Sequence, residues 1–127
     1  MDTRSPIEIA DEWLDKWSGP DTPAIGEGVS DCALDWDLPR EQPALCLASI
    51  VEVLGRLDTP DPNRLLAVLA AGPLEELLTH NGEAVIDQVD LLARSDPPFR
   101  RLLNGVWFNG INPGVHAKLS KYLGRAW

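Results

Sequence analysis

Residues 65–78 read LLAVLAAGPLEELL. No polar side chain occurs from Leu65 to Leu74. A helical segment that is apolar on every side belongs under other helices, not at the surface. Gly72-Pro73 interrupts the run. Glycine accepts the left-handed backbone that often ends a helix. Proline suits the first position of the next helix, where no amide donor is needed. The pair predicts two helices joined by a tight, buried corner.

Working outward, the same signals recur. On the upstream side, Pro43 opens a helix to about Leu57 with Leu47, Ile50, Val51, Leu54 and Leu57 on one stripe. Asp61 is placed to cap a helix from Pro62 to Ala71. Downstream, Pro73 to about His80 carries Leu74, Leu77 and Leu78, and Asn81-Gly82 reads as its stop. Glu83 to Arg94 presents Val85, Ile86, Val89, Leu92 and Ala93 inward. Asp96 then caps a helix from Pro97 to about Trp107, with Phe99, Leu102, Leu103, Val106 and Trp107 as its buried stripe. Asn112-Pro113 starts a last helix to about Leu123. At the other end, Ser5-Pro6-Ile7-Glu8 has the pattern of a capping box, and Ile9, Trp13, Leu14 and Trp17 share one helical face.

These segments define an all-α fold: one domain over residues 1–127, a compact irregular bundle of about six or seven short helices. Helix pairs stacked in the HEAT manner are the alternative, but no fixed sequence period supports a solenoid. The exception to helical regularity is residues 19–42, an acidic loop with three prolines and three glycines. Loops of this length in a domain are commonly functional. Asp31, Asp35, Trp36 and Asp37 within it form the first candidate surface, with Trp36 expected to anchor the loop on the body.

Charge is distributed unevenly. Residues 1–42 carry eleven acids and three bases, residues 43–94 eight and three, and residues 95–127 one and five. The segment charges of −8, −5 and +4 make the total of −9. That balance argues against a nucleic-acid partner, which needs bases to displace phosphate counterions. No apolar run approaches the about 18 residues of a membrane span. The start, MDTRSPIEIADEW, lacks the basic flank and apolar core of a secretory signal, so a cytoplasmic location is expected. Cys32 and Cys46 have no metal-ligand spacing and read as free thiols, with a mutual disulfide as the alternative.

Chemistry-bearing patterns are sparse. Phosphate loops and zinc motifs do not occur in the sequence. His80 reads as a helix-terminus residue and His116 as an exposed first-turn residue; neither sits in a catalytic motif. Glu75 and Glu76 read as first-turn acids that complement a helix dipole. No catalytic residue, cofactor ligand or metal ligand is assigned. A second candidate, a polar pocket, is the run Asn104-Gly-Val-Trp107-Phe-Asn109-Gly with His116. The simpler reading of that run puts Trp107 in the core and the asparagines on helix-end carbonyls.

The segment 69–110 carries an AGPLE corner at Ala71–Glu75, an Ile86-Asp87 pair, a DPxFRRLL-type run at Asp96–Leu103 and a GVWxN-type run at Gly105–Asn109. With PALCLASI at Pro43–Ile50, this pattern resembles a family of small bacterial proteins that carries only a domain-of-unknown-function label. The resemblance covers half to two-thirds of the chain and implies a helical, bacterial protein; it brings no catalytic residue with it. The glycines at Gly105, Gly110 and Gly114 depart from that pattern.

The expectation is therefore a non-catalytic protein-interaction module. Its specific form is an immunity- or inhibitor-type protein whose acidic surface docks a basic partner. The alternative is a small-ligand-binding protein or enzyme using Asn104, Trp107, Asn109 and His116.

Overall fold

The computed structural model describes residues 2–18, 32–57 and 64–124. Among these, seven α-helices follow in order: α1 (Pro6–Ser18), α2 (Asp37–Glu41), α3 (Pro43–Arg56), α4 (Arg64–Leu69), α5 (Glu75–Ser95), α6 (Pro97–Leu103) and α7 (Pro113–Leu119). Short 3-10 turns at Ala33–Asp35 and Ser120–Tyr122 flank α2 and α7. No strand occurs among the described residues. The fold is an irregular helical bundle.

The first helix starts as its sequence dictates. Ser5 Oγ accepts the Glu8 amide at 3.2 Å, and Glu8 Oε1 accepts the Ser5 amide at 3.2 Å. Ile9 and Trp13 are fully buried where α1 packs on α3. At α7, Asn112 Oδ1 accepts the amides of Gly114 at 2.7 Å and Val115 at 3.4 Å. Asp96 precedes α6, but its side chain makes no capping bond. The cap expected at Asp61 lies outside the described residues.

The tight corner at Gly72-Pro73 is not there. Residues Ala70–Leu74 form a π-helical turn that joins α4 to α5 without leaving helical backbone. Gly72 has no left-handed conformation; among the described glycines only Gly124 does. The proline explains the turn. Its ring would collide with the carbonyl of Leu69 in a regular helix, and it has no N–H to offer that carbonyl. Widening by one residue relieves the collision, and the Glu75 amide reaches back five residues to Ala70 O. The burial expected for this segment does hold: Leu66, Leu69, Ala70 and Leu74 are inaccessible to solvent.

Asn81-Gly82 does mark a break. α5 is two helices that meet at a kink at Asn81, whose backbone (φ −139°, ψ 27°) is the one non-helical point in it. The Asn81 side chain donates to Pro39 O at 2.7 Å and Arg40 O at 3.0 Å, tying α2 to the kink. Gly82 is glycine for space. A Cβ there would lie 3.1 Å from Val115 Cγ2 on α7. A Cβ at Gly72 would meet nothing nearer than Asp35 Oδ1 at 3.5 Å, an ordinary contact.

Two helices are shorter than their stripes predict. The helix expected to reach Trp107 ends at Leu103. The amides of Gly105 and Val106 turn back to Leu102 O and Leu103 O, which unwinds the chain before Trp107. Val106 and Ile111 take the buried positions, and Trp107 is 72% exposed, not in the core. The last helix ends at Leu119, and Tyr122 follows on the 3-10 turn with its hydroxyl donating to Asp90 Oδ1 at 2.8 Å.

These two glycines give opposite expectations. Gly72→Ala, in helical backbone with room for a methyl, should raise unfolding stability by up to about 1 kcal/mol. Gly82→Ala should lower it by about 1–3 kcal/mol through overpacking against Val115. Urea unfolding midpoints of the two variants measure this, and shifts of the same sign would contradict the assignment.

Candidate interaction surface

The described tryptophans divide evenly. Trp13 and Trp17 on α1 are buried, whereas Trp36 is 53% and Trp107 72% exposed. An exposed indole is a large apolar area left in water, and such area marks contact surfaces more often than it marks packing.

Trp36 is held from behind. Arg40, one turn further on, lays its guanidinium 4.0 Å from the centroid of the Trp36 ring. Its Nη1 donates to Trp36 O at 2.9 Å, and its Nη2 donates to Glu76 Oε2 at 2.7 Å on α5. His80 Nε2 lies 3.3 Å from the same oxygen of Glu76, one helical turn away. On the neighbouring residue, Glu75 Oε1 accepts the backbone amide of Trp107 at 3.0 Å. Consecutive residues of α5 thus hold the backbone of Trp107 and, through Arg40, the ring of Trp36.

The face continues along the helix. Asn112 donates to Glu83 Oε1 at 2.9 Å. His116 stacks on Phe108 at 4.7 Å between ring centroids. A shallow hollow of about 320 Å³, lined in part by Thr79, His80, Glu83 and Asn112, lies on this side of α5. Asp37 and Glu41 on α2, which packs on α5, are exposed. No group of three metal-ligating side chains occurs among the described residues.

Behind this surface, Asp35 does a different job. Its Oδ1 accepts the indole N–H of Trp13 at 2.8 Å, and its Oδ2 accepts that of Trp17 at 2.9 Å. Both indoles are buried, so the carboxylate clasps α1 to the turn before α2. Glu12 completes the clasp by accepting the Ala33 amide at 3.1 Å. Cys32 and Cys46 are free and buried. Burial, and then the charge of Asp35, push the Cys46 thiol well above its ordinary range, so it stays protonated and unreactive.

The model of a protein family described as a family of unknown function, DUF6869, matches residues 31–126. The chain belongs to the DUF6869 family. No curated protein and no solved structure matches it. In this DUF6869 chain α1 lies before the matched residues, yet it supplies both indoles that Asp35 holds. No helix among the described residues is long and apolar enough to cross a membrane.

The residues singled out in the sequence fall in separate places. Of the acidic group, Trp36 and Asp37 are exposed, Asp35 is engaged by the two indoles, and Asp31 lies outside the described residues. Trp36 does not anchor its segment by burial; Leu34 and Leu38 on either side of it do. Of the polar run, Asn104 ties α6 to the chain after α7, donating to Tyr122 O at 3.0 Å and accepting the Gly124 amide at 3.2 Å. Trp107 and Asn109 are exposed, and His116 stacks on Phe108. The cleft that Asn104 lines includes neither Trp107, Asn109 nor His116. Sequence reasoning missed Arg40 and the tethering roles of Glu75 and Glu76. The spacing of Glu76 and His80 was a usable signal; nothing local points from Arg40 to Glu76, 36 residues away.

Asp35→Asn keeps the shape but leaves one acceptor oxygen for two indole donors. Losing a charged partner from a buried N–H costs about 2 kcal/mol. The denaturant midpoint should fall with an unchanged slope; a change under about 0.5 kcal/mol would show that the clasp is not stabilising.

Proposed function

We propose that this DUF6869 chain is a protein-interaction module that docks a Lys/Arg-bearing segment of a partner on the face of α5 between Trp36 and Trp107. The observation that carries the reading is the pair of exposed indoles whose segments are both fastened to α5, Trp36 through Arg40 on Glu76 and Trp107 through its backbone amide on Glu75. Holding the Trp36 ring and the Trp107 backbone in place before binding lowers the entropy lost on association. Exposed tryptophans are the commonest anchors of protein contacts.

Charge supports the sign of the partner. The net charge is −9, and Asp37, Glu41, Glu75, Glu76 and Glu83 all belong to α2 or the first half of α5. Such a field accelerates encounter with a basic partner. Indole faces accept Lys and Arg through cation–π contact, as Arg40 already does on Trp36. An immunity- or inhibitor-type role against a basic protein is the form of this reading that its charge favours. No observation favours catalysis.

The test uses a Lys/Arg-rich peptide, read by intrinsic tryptophan fluorescence. Saturable binding is expected, and Trp36→Ala or Trp107→Ala should each weaken it by roughly tenfold or more. Glu75→Lys combined with Glu76→Lys should abolish it, while Asp15→Lys on α1 should have a small effect. Equal loss from Asp15→Lys, or unchanged affinity in both tryptophan variants, would reduce the interaction to non-specific charge and overturn the reading.

A further inference from the structure

The far end of α5 carries a site of the opposite sign. A cleft of about 500 Å³ lies where α6 meets the Ser120–Tyr122 turn. Arg100, Arg101 and Lys121 line it, and among the described residues no acid does. That lining is unusual in a chain with 20 acids and 11 bases. Its volume falls in the range of about 300–1,000 Å³ that small-molecule sites occupy.

The cations are positioned by the fold. Arg100 Nε donates to Ala93 O at 2.9 Å and its Nη2 to Arg94 O at 3.4 Å. Those bonds fix the plane of the guanidinium and cover the carbonyls at the end of α5. They leave the donors of Nη1, since a guanidinium has five N–H groups. Lys121 Nζ lies 3.2 Å from Asp90 Oδ1, and Tyr122 donates to the same carboxylate oxygen. An ammonium has three donors, so one contact with Asp90 leaves others. Asp90 thereby offsets part of the Lys121 charge while holding it in place. Asn104 ties the two walls together through Arg100 O and Tyr122 O. Pro97, Leu123 and the Tyr122 ring add an apolar border.

We infer that this cleft binds a small phosphate-bearing ligand, with Arg100 and Lys121 on the phosphate, Arg101 adding positive charge to the wall, and Pro97, Tyr122 and Leu123 against the body of the molecule. Guanidinium forks match phosphate oxygens in pairs, and a nearby ammonium adds a point charge. The site is independent of the tryptophan face, which lies along the first half of the same helix.

Inorganic pyrophosphate is the probe, titrated at constant ionic strength and followed by amide NMR and calorimetry on the full chain. Saturable shifts confined to residues 97–104 and 120–124 are expected. Arg101→Gln with Lys121→Gln should weaken binding by about tenfold or more, because Lys121 takes charge-assisted bonds with it and Arg101 takes positive charge from the wall. Lys118→Gln on α7 removes a unit of charge outside the cleft and should leave affinity within about twofold. Both substituted cleft cations lie on the surface side of the fold, and circular dichroism of the double variant checks that it remains helical. Shifts that do not saturate, that spread across the chain, or that match in the double variant and Lys118→Gln would overturn the site.

Discussion

Pro73 has no amide hydrogen, and it sits near the end of the longest apolar stretch of the chain. Two outcomes can follow from a proline there. The helix can break, or it can widen by one residue and continue. Breaking would expose carbonyls among Leu66, Leu69 and Leu74, which are inaccessible to solvent. Widening keeps those carbonyls in helical company, and the Glu75 amide bonds Ala70 O and Gly72 O. So α4 and α5 remain one kinked rod with a swollen joint, buried on one side. The other helices take their places against it: α2, α3, α6 and α7 all pack on α5.

That rod decides which tryptophans face water. α1 rests on α3, and Trp13 and Trp17 bring two indole N–H groups to Asp35. A buried indole needs an acceptor, and a carboxylate with two oxygens can serve a pair. With Leu34 and Leu38 buried on either side, Trp36 is left on the outer side of the chain. The glycine and asparagine after α6 do the same for Trp107. Arg40, paired with Glu76 on α5, steadies the Trp36 ring, and Glu75 holds the backbone of Trp107.

Charge follows the same axis. Acids gather where α5 begins, beside α2. Bases gather where it ends, beside α6 and the turn after α7. Arg100 and Lys121 serve the fold there, one on terminal carbonyls and one on Asp90. Among the described residues, Asp37, Glu41, Glu75 and Glu76 belong to α2 and the start of α5, whereas Arg100, Arg101 and Lys121 line the cleft near its end.

The sequence alone determined a great deal of this. The all-α class, the capping box at Ser5 and Glu8, the asparagine cap at Asn112 and the inward stripes of α1, α3 and α5 are local properties. They depend on neighbours within a few residues, so the local pattern states them. Asn81-Gly82 correctly marked the kink between the two parts of α5, but Gly72-Pro73 was misleading for a physical reason. The pair permits a helix end without requiring one, and the choice depends on what surrounds it. Leucines around Pro73 made a break costly, and Val115 needed the space at Gly82. Trp36, Trp107 and Asp35 were legible as notable residues but not in their roles. Burial, tethering to Glu75 and Glu76, and the sharing of one carboxylate by two indoles are contacts between distant segments, and only the packed chain brings those segments together.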